Sequence, residues 1–214
     1  MGKVVLDISS SLDGFVAGPS PSLEQPLGEG GEELHEWIVR LASWRERHDR
    51  SGGAADADDE VVAESLAGTG AILMGRRMFS GGEGPWEDDS NAGSWWGDET
   101  PFGVPVFVLT HHPREPLTKA DGTTFTFVSD GVESAVEQAR AAAGDRNVSV
   151  AGGASVAQQA LNAGLLDELE IHLVPVLLGA GTRLLDGLDP KIKLERMRVV
   201  DSPAVTHLRY RVVI

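Results

Sequence analysis

The residues best suited to do chemistry lie within positions 148–161, where an apolar stretch is followed by two glycines and a helix-forming sequence. The apolar stretch predicts a strand, and Gly152 and Gly153 predict a tight turn into the helix. Ser155 with Gln158 three residues later fits a capping box at that helix start. Backbone N–H groups at a helix N-terminus favour anions, so the segment predicts a phosphate or pyrophosphate site. A plain Gly-Gly turn is the alternative.

Two more polar segments are expected where strands end, the edge at which open α/β sheets bind ligands. Gly75, Arg76 and Arg77 follow one apolar stretch, and Thr110 and His111 follow another. If a bound nucleotide carries a 2′-phosphate, charge-assisted hydrogen bonds from such groups contribute about 1.5–3 kcal/mol each. Two of them favour NADP over NAD by roughly two to three orders of magnitude. A solvated helix start with surface ion pairs is the other interpretation of the two arginines.

Helical and extended patterns alternate along the chain, which predicts an α/β fold. The expected strands are residues 4–8, 71–74, 104–109, 124–128 and 169–178, followed by an antiparallel hairpin of residues 193–200 and 205–213. The expected helices are residues 32–47, residues 60–67, one capped by Asp130 with Glu133 and closed by Gly144, and one that follows the glycine pair and ends at Gly164. We expect a single domain over residues 1–214, with insertions at about 49–59 and 80–103.

Composition excludes several classes of function. A net charge of −15 and a pI near 4.7 argue against nucleic acid and against an anionic membrane as partners. The chain has no cysteine, which rules out disulfides, cysteine nucleophiles and thiolate metal sites. No apolar run reaches the roughly 20 residues of a membrane span, and no signal peptide is recognisable. The expectation is a cytoplasmic protein with a small-molecule ligand and no metal.

Four motifs taken together resemble one family. They are Ser-Leu-Asp-Gly at 11–14, Met-Gly-Arg-Arg-Met-Phe at 74–79, Val-Leu-Thr-His at 108–111 and Ala-Gly-Gly-Ala-Ser-Val at 151–156. In this order they resemble the dihydrofolate-reductase-like superfamily, in particular the reductase domain of the bifunctional riboflavin-biosynthesis deaminase–reductase and its stand-alone bacterial relatives. The Pro…Gly-x-Gly segment within residues 173–185 is similar to that branch and not to dihydrofolate reductases proper.

The resemblance implies a three-layer fold, with a central, mostly parallel sheet flanked by helices and a C-terminal antiparallel hairpin. It also implies NADPH-dependent hydride transfer to a flat nitrogen heterocycle, like that of 5-amino-6-(5-phosphoribosylamino)uracil reductase. The implied cofactor residues are Ala17 at the nicotinamide, Gly75, Arg76, Arg77, Thr110 and His111 at the adenine ribose and its 2′-phosphate, and Gly152, Gly153, Ala154, Ser155 and Val156 at the pyrophosphate. A homodimer built on the C-terminal strands is a further expectation.

The catalytic residues expected on the same basis are Asp13, near the substrate, and His172, in contact with the ring or protonating it. The expected substrate residues are Glu33 or Glu36, Trp96 in the tryptophan-rich insertion, and Pro175. Each has a structural alternative: Asp13 as a turn residue, His172 as a core histidine, and the tryptophans as a cluster that holds the long loop. Dihydrofolate or pterin reduction, and an NADP-binding module without catalysis, stay open as alternative functions.

Overall fold

The computed structural model describes residues 2–22, 24–189 and 191–213. The strands are β1 Val4–Ser11, β2 Phe15–Ala17, β3 Thr69–Gly75, β4 Val106–Leu109, β5 Leu117–Thr118, β6 Thr124–Val128, β7 Asn147–Gly152, β8 Glu168–Val174, β9 Thr182–Arg183, β10 Lys193–Asp201 and β11 Thr206–Val213. The α-helices are α1 Glu36–Val39, α2 Ala42–Arg47, α3 Ala57–Gly68, α4 Arg76–Ser80, α5 Val132–Ala143 and α6 Ala154–Asn162. Short 3-10 helices cover Gly31–His35 and Trp86–Asp88.

These elements form two compact units. The first unit comprises Met1–Val5 and Thr69–Leu166, and the second unit comprises Leu6–Gly68 and Asp167–Ile214. The second unit is therefore built from two stretches of chain that are separated in sequence by most of the first.

A parallel sheet forms the centre of the first unit, with the strand order β7-β3-β4-β6-β5. Strands β3, β4, β6 and β7 are parallel neighbours, and only β5 is antiparallel. Strand β3 is buried along its whole length up to Gly75, in agreement with its apolar run of residues 71–74. An aromatic cluster in this unit brings Phe79, Phe102, Phe125 and Phe127 together.

The second unit has the strand order β10-β11-β8-β1, with β11 antiparallel to both β10 and β8. The predicted C-terminal hairpin is confirmed, and β2 and β9 form a separate antiparallel pair. Leu34, Trp37 and Leu41 pack with residues of α3 and of the ends of β8 and β11 in an apolar cluster. The predicted α/β class, with a mostly parallel sheet and an antiparallel C-terminal strand pair, is confirmed.

The single helix expected over residues 32–47 is wrong. Leu41 separates α1 from α2 with an extended backbone, at ψ 149°. Its neighbours bond a distant segment, since Ala42 N–H donates to Ala54 O at 2.8 Å and Ala54 N–H donates to Arg40 O at 2.9 Å. The apolar spacing is helical on both sides of this break, so the pattern alone does not reveal it.

Both capping predictions are wrong as well. Helix α6 has Gly153 at its N-cap and α5 has Gly131, in each case without a side-chain cap. Ser155 lies in the first turn of α6 instead, where its hydroxyl accepts a hydrogen bond from Gln159 Nε2 at 3.0 Å. The predicted end of α5 is confirmed, because Gly144 follows it with φ 64°.

Among the helices within the described ranges, none has the length and apolar character that crossing a lipid bilayer demands.

Candidate functional site

The end of β7 and the start of α6 form an open backbone surface in the first unit. Val156 and Ala157 N–H both donate to Gly153 O, at 3.1 and 3.3 Å, which leaves Ala154 and Ser155 N–H without an intrahelical acceptor. A Cβ built on Gly153 would meet no atom within 4 Å. The Gly152–Gly153 peptide bond is cis. Open space beside N–H groups that have no intrahelical acceptor is what an anionic group requires there.

Gly75, at the end of β3, lies against this same helix start. A Cβ on Gly75 would lie 3.1 Å from Val156 Cγ2 and 3.7 Å from Gly153 N. Glycine at this position therefore allows the strand end and the helix start to approach closely. The structure thus brings together Gly75, Gly153 and Val156, three of the residues predicted to bind the cofactor.

The two neighbouring arginines have different surroundings. Arg76 is 7 % exposed, and its Nη1 bonds Asp89 Oδ2 at 2.5 Å and also Ser80 Oγ. Its guanidinium lies 3.4 Å from the centre of the Trp86 ring, and its Nε and Nη2 atoms have no hydrogen-bond partner among the described residues. Arg77 is 62 % exposed and pairs with the similarly exposed Glu83. Arg77 is therefore the guanidinium of this pair that a ligand can reach from solvent.

Asp89 is a residue that the sequence did not single out. Burial opposes ionisation of its carboxyl group, but hydrogen bonds from Ser80 and Arg76 outweigh that cost and lower its pKa. An ionised Asp89 holds Arg76 inside the first unit. The only sequence signal was an acidic residue in a loop rich in Gly and Trp, which does not reveal such a partner.

Thr110 and His111 follow β4, as predicted. Thr110 is buried, and its hydroxyl oxygen accepts a hydrogen bond from His112 N–H at 3.1 Å. His111 is exposed. At this strand end the imidazole faces solvent, while the threonine hydroxyl already has a local partner.

The tryptophans of the long loop are bonded to the first unit. Trp86 Nε1 donates to His112 O at 2.7 Å, and Trp95 and Trp96 donate to Met78 O at 2.8 and 3.1 Å. The Trp96 ring also packs against Phe102 with ring centres 5.0 Å apart. These contacts match the interpretation of a cluster that holds the loop, and substrate contact by Trp96 stays a prediction.

Asp13 lies in a turn of the second unit that backbone and hydroxyl donors surround. Ser11 Oγ donates to Asp13 Oδ1 at 2.6 Å, and Gly179 N–H donates to Asp13 Oδ2 at 2.7 Å. Leu178 N–H adds a longer bond at 3.2 Å. The hydrogen bond from Ser11, above all, lowers the pKa of Asp13. The carboxylate is thus an ionised acceptor at neutral pH.

The Gly-x-Gly segment explains how Asp13 acquires these donors. Gly181 has φ 128°, and a Cβ on it would lie 2.1 Å from Ala17 O. Only glycine permits this approach, which pairs β9 with β2. Ala17 ends β2, and Gly179, two residues before Gly181, provides an N–H for Asp13.

His172 is buried within β8 and makes two hydrogen bonds through its ring. Nε2 lies 3.0 Å from Asp7 Oδ1, and Nδ1 lies 2.7 Å from His207 Nδ1. Sequence analysis did not identify Asp7 or His207, because each is a polar residue in a strand far from position 172. The remaining substrate candidates, Glu33, Glu36 and Pro175, are all exposed.

Comparisons with known proteins agree with the resemblance seen in the motifs. A riboflavin biosynthesis protein of Shewanella sp. PV-4 superposes with a TM-score of 0.67 at 17 % identity, over 99 % of each chain. RibD of Acinetobacter baumannii superposes with a TM-score of 0.61 at 17 % identity, and the match covers 100 % of this chain but 59 % of RibD. The riboflavin biosynthesis reductase Rib7 of Saccharomyces cerevisiae superposes with a TM-score of 0.54 at 15 % identity, over 100 % of this chain and 89 % of Rib7. At these identities the likeness establishes the fold.

No curated protein matches the chain significantly by sequence. A family model does match, however, and it covers residues 2–208, nearly all of the chain. Its description is the RibD C-terminal domain. The predicted resemblance is confirmed: the chain belongs to the RibD C-terminal domain family.

Proposed function

We propose that this chain is an NADPH-dependent reductase of a flat, nitrogen-rich heterocycle carrying a ribosylamino group. Family membership supports the oxidoreductase class predicted from the motifs. The Thermotoga maritima protein, a deaminase and 5-amino-6-(5-phosphoribosylamino)uracil reductase, matches at TM-score 0.55 and 18 % identity over 98 % of this chain. Since the chain spans 56 % of that protein, only its reductase chemistry is proposed here.

The observation that carries the cofactor assignment is the open surface beside Gly153. Two N–H groups without an intrahelical acceptor at the start of α6 suit a pyrophosphate, and Gly75 keeps the end of β3 close to the same helix start. Arg77 and His111 are exposed donors at the ends of β3 and β4, and they suit a 2′-phosphate. The residues present therefore fit NADPH.

When bound, NADPH supplies the hydride, and the reduction also consumes one proton. The protein's tasks are to bind, to orient and to provide a route for that proton. Asp13 does not donate it, because its lowered pKa keeps the carboxyl ionised at neutral pH. Its negative charge instead suits hydroxyl or amino groups of a substrate, for which it is a hydrogen-bond acceptor.

A titration with NADPH and NADH, followed by quenching of tryptophan fluorescence, tests the cofactor assignment. We expect NADPH to bind more tightly than NADH, and Arg77→Ala to weaken NADPH binding by roughly tenfold to a hundredfold, the worth of one charge-assisted hydrogen bond. NADH binding should change little, because it lacks the 2′-phosphate.

Arg196→Ala is the matched control, since Arg196 is also exposed and the charge change is the same. Arg76→Ala is less informative, because the buried guanidinium bonds Asp89 and stacks on Trp86. Its removal therefore also changes contacts within the protein. Equal affinity for the two nucleotides, unchanged by Arg77→Ala, would remove the NADPH assignment. Tight NADPH binding without turnover on pyrimidine or pterin acceptors would instead favour a binding module.

A further inference from the structure

Four side chains of the second unit form a continuous row of hydrogen bonds, which we call the Asp–His–His–Asp row. Asp7 Oδ1 bonds His172 Nε2 at 3.0 Å, and the two Nδ1 atoms of His172 and His207 lie 2.7 Å apart. His207 Nε2 bonds Asp58 Oδ1 at 3.1 Å. The residues come from β1, α3, β8 and β11. The two imidazoles thus lie between two carboxyl groups.

Solvent access to the row is uneven. The side chains of His172, His207 and Asp58 are 5, 1 and 1 % exposed, whereas that of Asp7 is 22 % exposed. At the opposite end, Arg40 Nη2 bonds Asp58 Oδ2 at 2.5 Å. Because a guanidinium does not release its proton in proteins, Arg40 closes that end. Asp7 is the member of the row that water reaches.

The geometry determines how many protons the two rings carry. Each of the three contacts is a hydrogen bond, and each hydrogen bond contains one proton. Carboxylates only accept, so each Nε2 carries a proton toward its aspartate. A third proton must lie between the two Nδ1 atoms, since two bare lone pairs or two N–H groups would repel at 2.7 Å. Three protons on four ring nitrogens make one neutral ring and one imidazolium.

Charges along the row then alternate in sign. Asp7 is negative, the histidine pair carries one positive charge, Asp58 is negative and Arg40 is positive. Burial disfavours ionisation of Asp7, yet hydrogen bonding and attraction to His172, with a hydrogen bond from Ser65, leave its pKa lowered. Burial, and then the charge of His172, lower the pKa of His207.

Other charged groups around the row keep this balance. On β8, burial and the charge of Asp7 raise the pKa of Glu170. His35, in the 3-10 helix, has a pKa lowered by burial and by the charge of His172, so it stays neutral. Arg209 of β11 pairs with Glu168, Glu170 and Glu64 rather than with the row.

We propose that the Asp–His–His–Asp row is a buried store for a single exchangeable proton, open to solvent only at Asp7. The store takes up or releases this proton through His172 and Asp7, while Asp58 and Arg40 hold the inner end. A metal bridging the same two nitrogens is a poorer fit, since two imidazoles on one zinc ion stand about 3.3 Å apart. A proton is the cation that fits a 2.7 Å gap.

Nitrogen-15 spectra of the histidine rings in the wild-type protein test this store. Among the four ring nitrogens of His172 and His207 we expect three protonated and one bare, at about pH 6 to 8. The exposed His111 is the internal reference for a ring in water. The proton on His172 Nε2 should exchange with solvent faster than the one on His207 Nε2. Two bare nitrogens or four protonated ones, or the reverse order of exchange, would overturn the proposal.

Asp58→Asn removes the inner negative charge, and we expect it to leave two bare nitrogens at the same pH. Asp56→Asn is the matched control, because Asp56 also bonds Arg40, at 2.8 Å, but lies outside the row. It should keep three protonated nitrogens. Three protonated nitrogens in Asp58→Asn would also contradict the proposal. The wild-type spectrum decides alone if Asp58→Asn does not fold, and it needs neither NADPH nor substrate, so its result is independent of the proposed reductase activity.

Discussion

At the scale of single residues, several hydrogen bonds hold the carboxylate of Asp13 in place within the second unit. Asp13 accepts hydrogen bonds from the Ser11 hydroxyl and from two consecutive backbone N–H groups, those of Leu178 and Gly179. Such a network specifies where the carboxylate lies and keeps it charged. These contacts match the structural alternative of a turn residue, and the catalytic role of Asp13 stays a prediction.

Asp13→Asn separates these two properties of the carboxylate. The amide keeps the size of the side chain, but its NH₂ group must face a backbone N–H that needs an acceptor. We expect a lower urea midpoint and a turnover roughly a hundredfold lower, the cost of displacing a reacting group by about one ångström. Asp186→Asn, at an exposed position of the same unit, should change neither quantity. Unchanged turnover in Asp13→Asn would exclude it from the site.

At the scale of elements, local patterns predicted what local interactions determine. Strand β6, Thr124–Val128, and the C-terminal hairpin follow from alternation and from turn residues, and both are where they were expected. The helix break at Leu41 follows from pairing with Ala54, thirteen residues away, and has no local signal. For the same reason the sequence does not reveal Asp89 as the partner of Arg76. It also does not reveal Asp7 and His207 as the partners of His172, because only the folded chain brings these residues together.

The turn from β7 into α6 supplies a test at this scale. Gly153 has a φ of −82°, which alanine adopts readily, and its added Cβ would meet no protein atom within 4 Å. Gly153→Ala should therefore fold like the wild type but fill the space proposed for a pyrophosphate. We expect NADPH binding to weaken by about tenfold or more, the equivalent of losing one good hydrogen bond to a phosphate.

Gly84→Ala is the control for that experiment, because its Cβ is equally unobstructed and lies in the loop of the first unit. Thermal unfolding of both variants should match the wild type. If Gly153→Ala binds NADPH as well as Gly84→Ala does, the open space beside α6 does not hold the cofactor.

At the scale of the whole molecule, ionisable groups whose pKa values change on folding predict loss of stability in acid. Folding lowers the pKa of Asp7, Asp56, Asp89 and Asp121, so their contribution is present above about pH 4 and is lost as the pH falls through their folded values. His35 and His207 also have lowered pKa values. Their contribution is present above about pH 6.5 and declines below it.

Urea unfolding at about pH 7, 5 and 3 measures this dependence, and we expect the midpoint to fall at each step. Glu170 acts in the opposite sense, because a raised pKa stabilises the folded state at low pH and loses that effect as the pH rises through the folded value. We expect the groups with lowered pKa values, which outnumber Glu170, to dominate. His207→Gln should flatten the step from pH 7 to pH 5, and a midpoint that rises over that step would contradict the assignment.

The discontinuous second unit has a consequence for the order in which the protein is made. The ribosome synthesises Thr69–Leu166 before His172 and His207, so nearly all of the first unit precedes the segment that completes the second. Asp7 and Asp58 are synthesised early, and their hydrogen-bond partners His172 and His207 follow 165 and 149 residues later. The bond between the two imidazoles therefore forms only after β11 has been synthesised, and its appearance would mark the completion of the second unit.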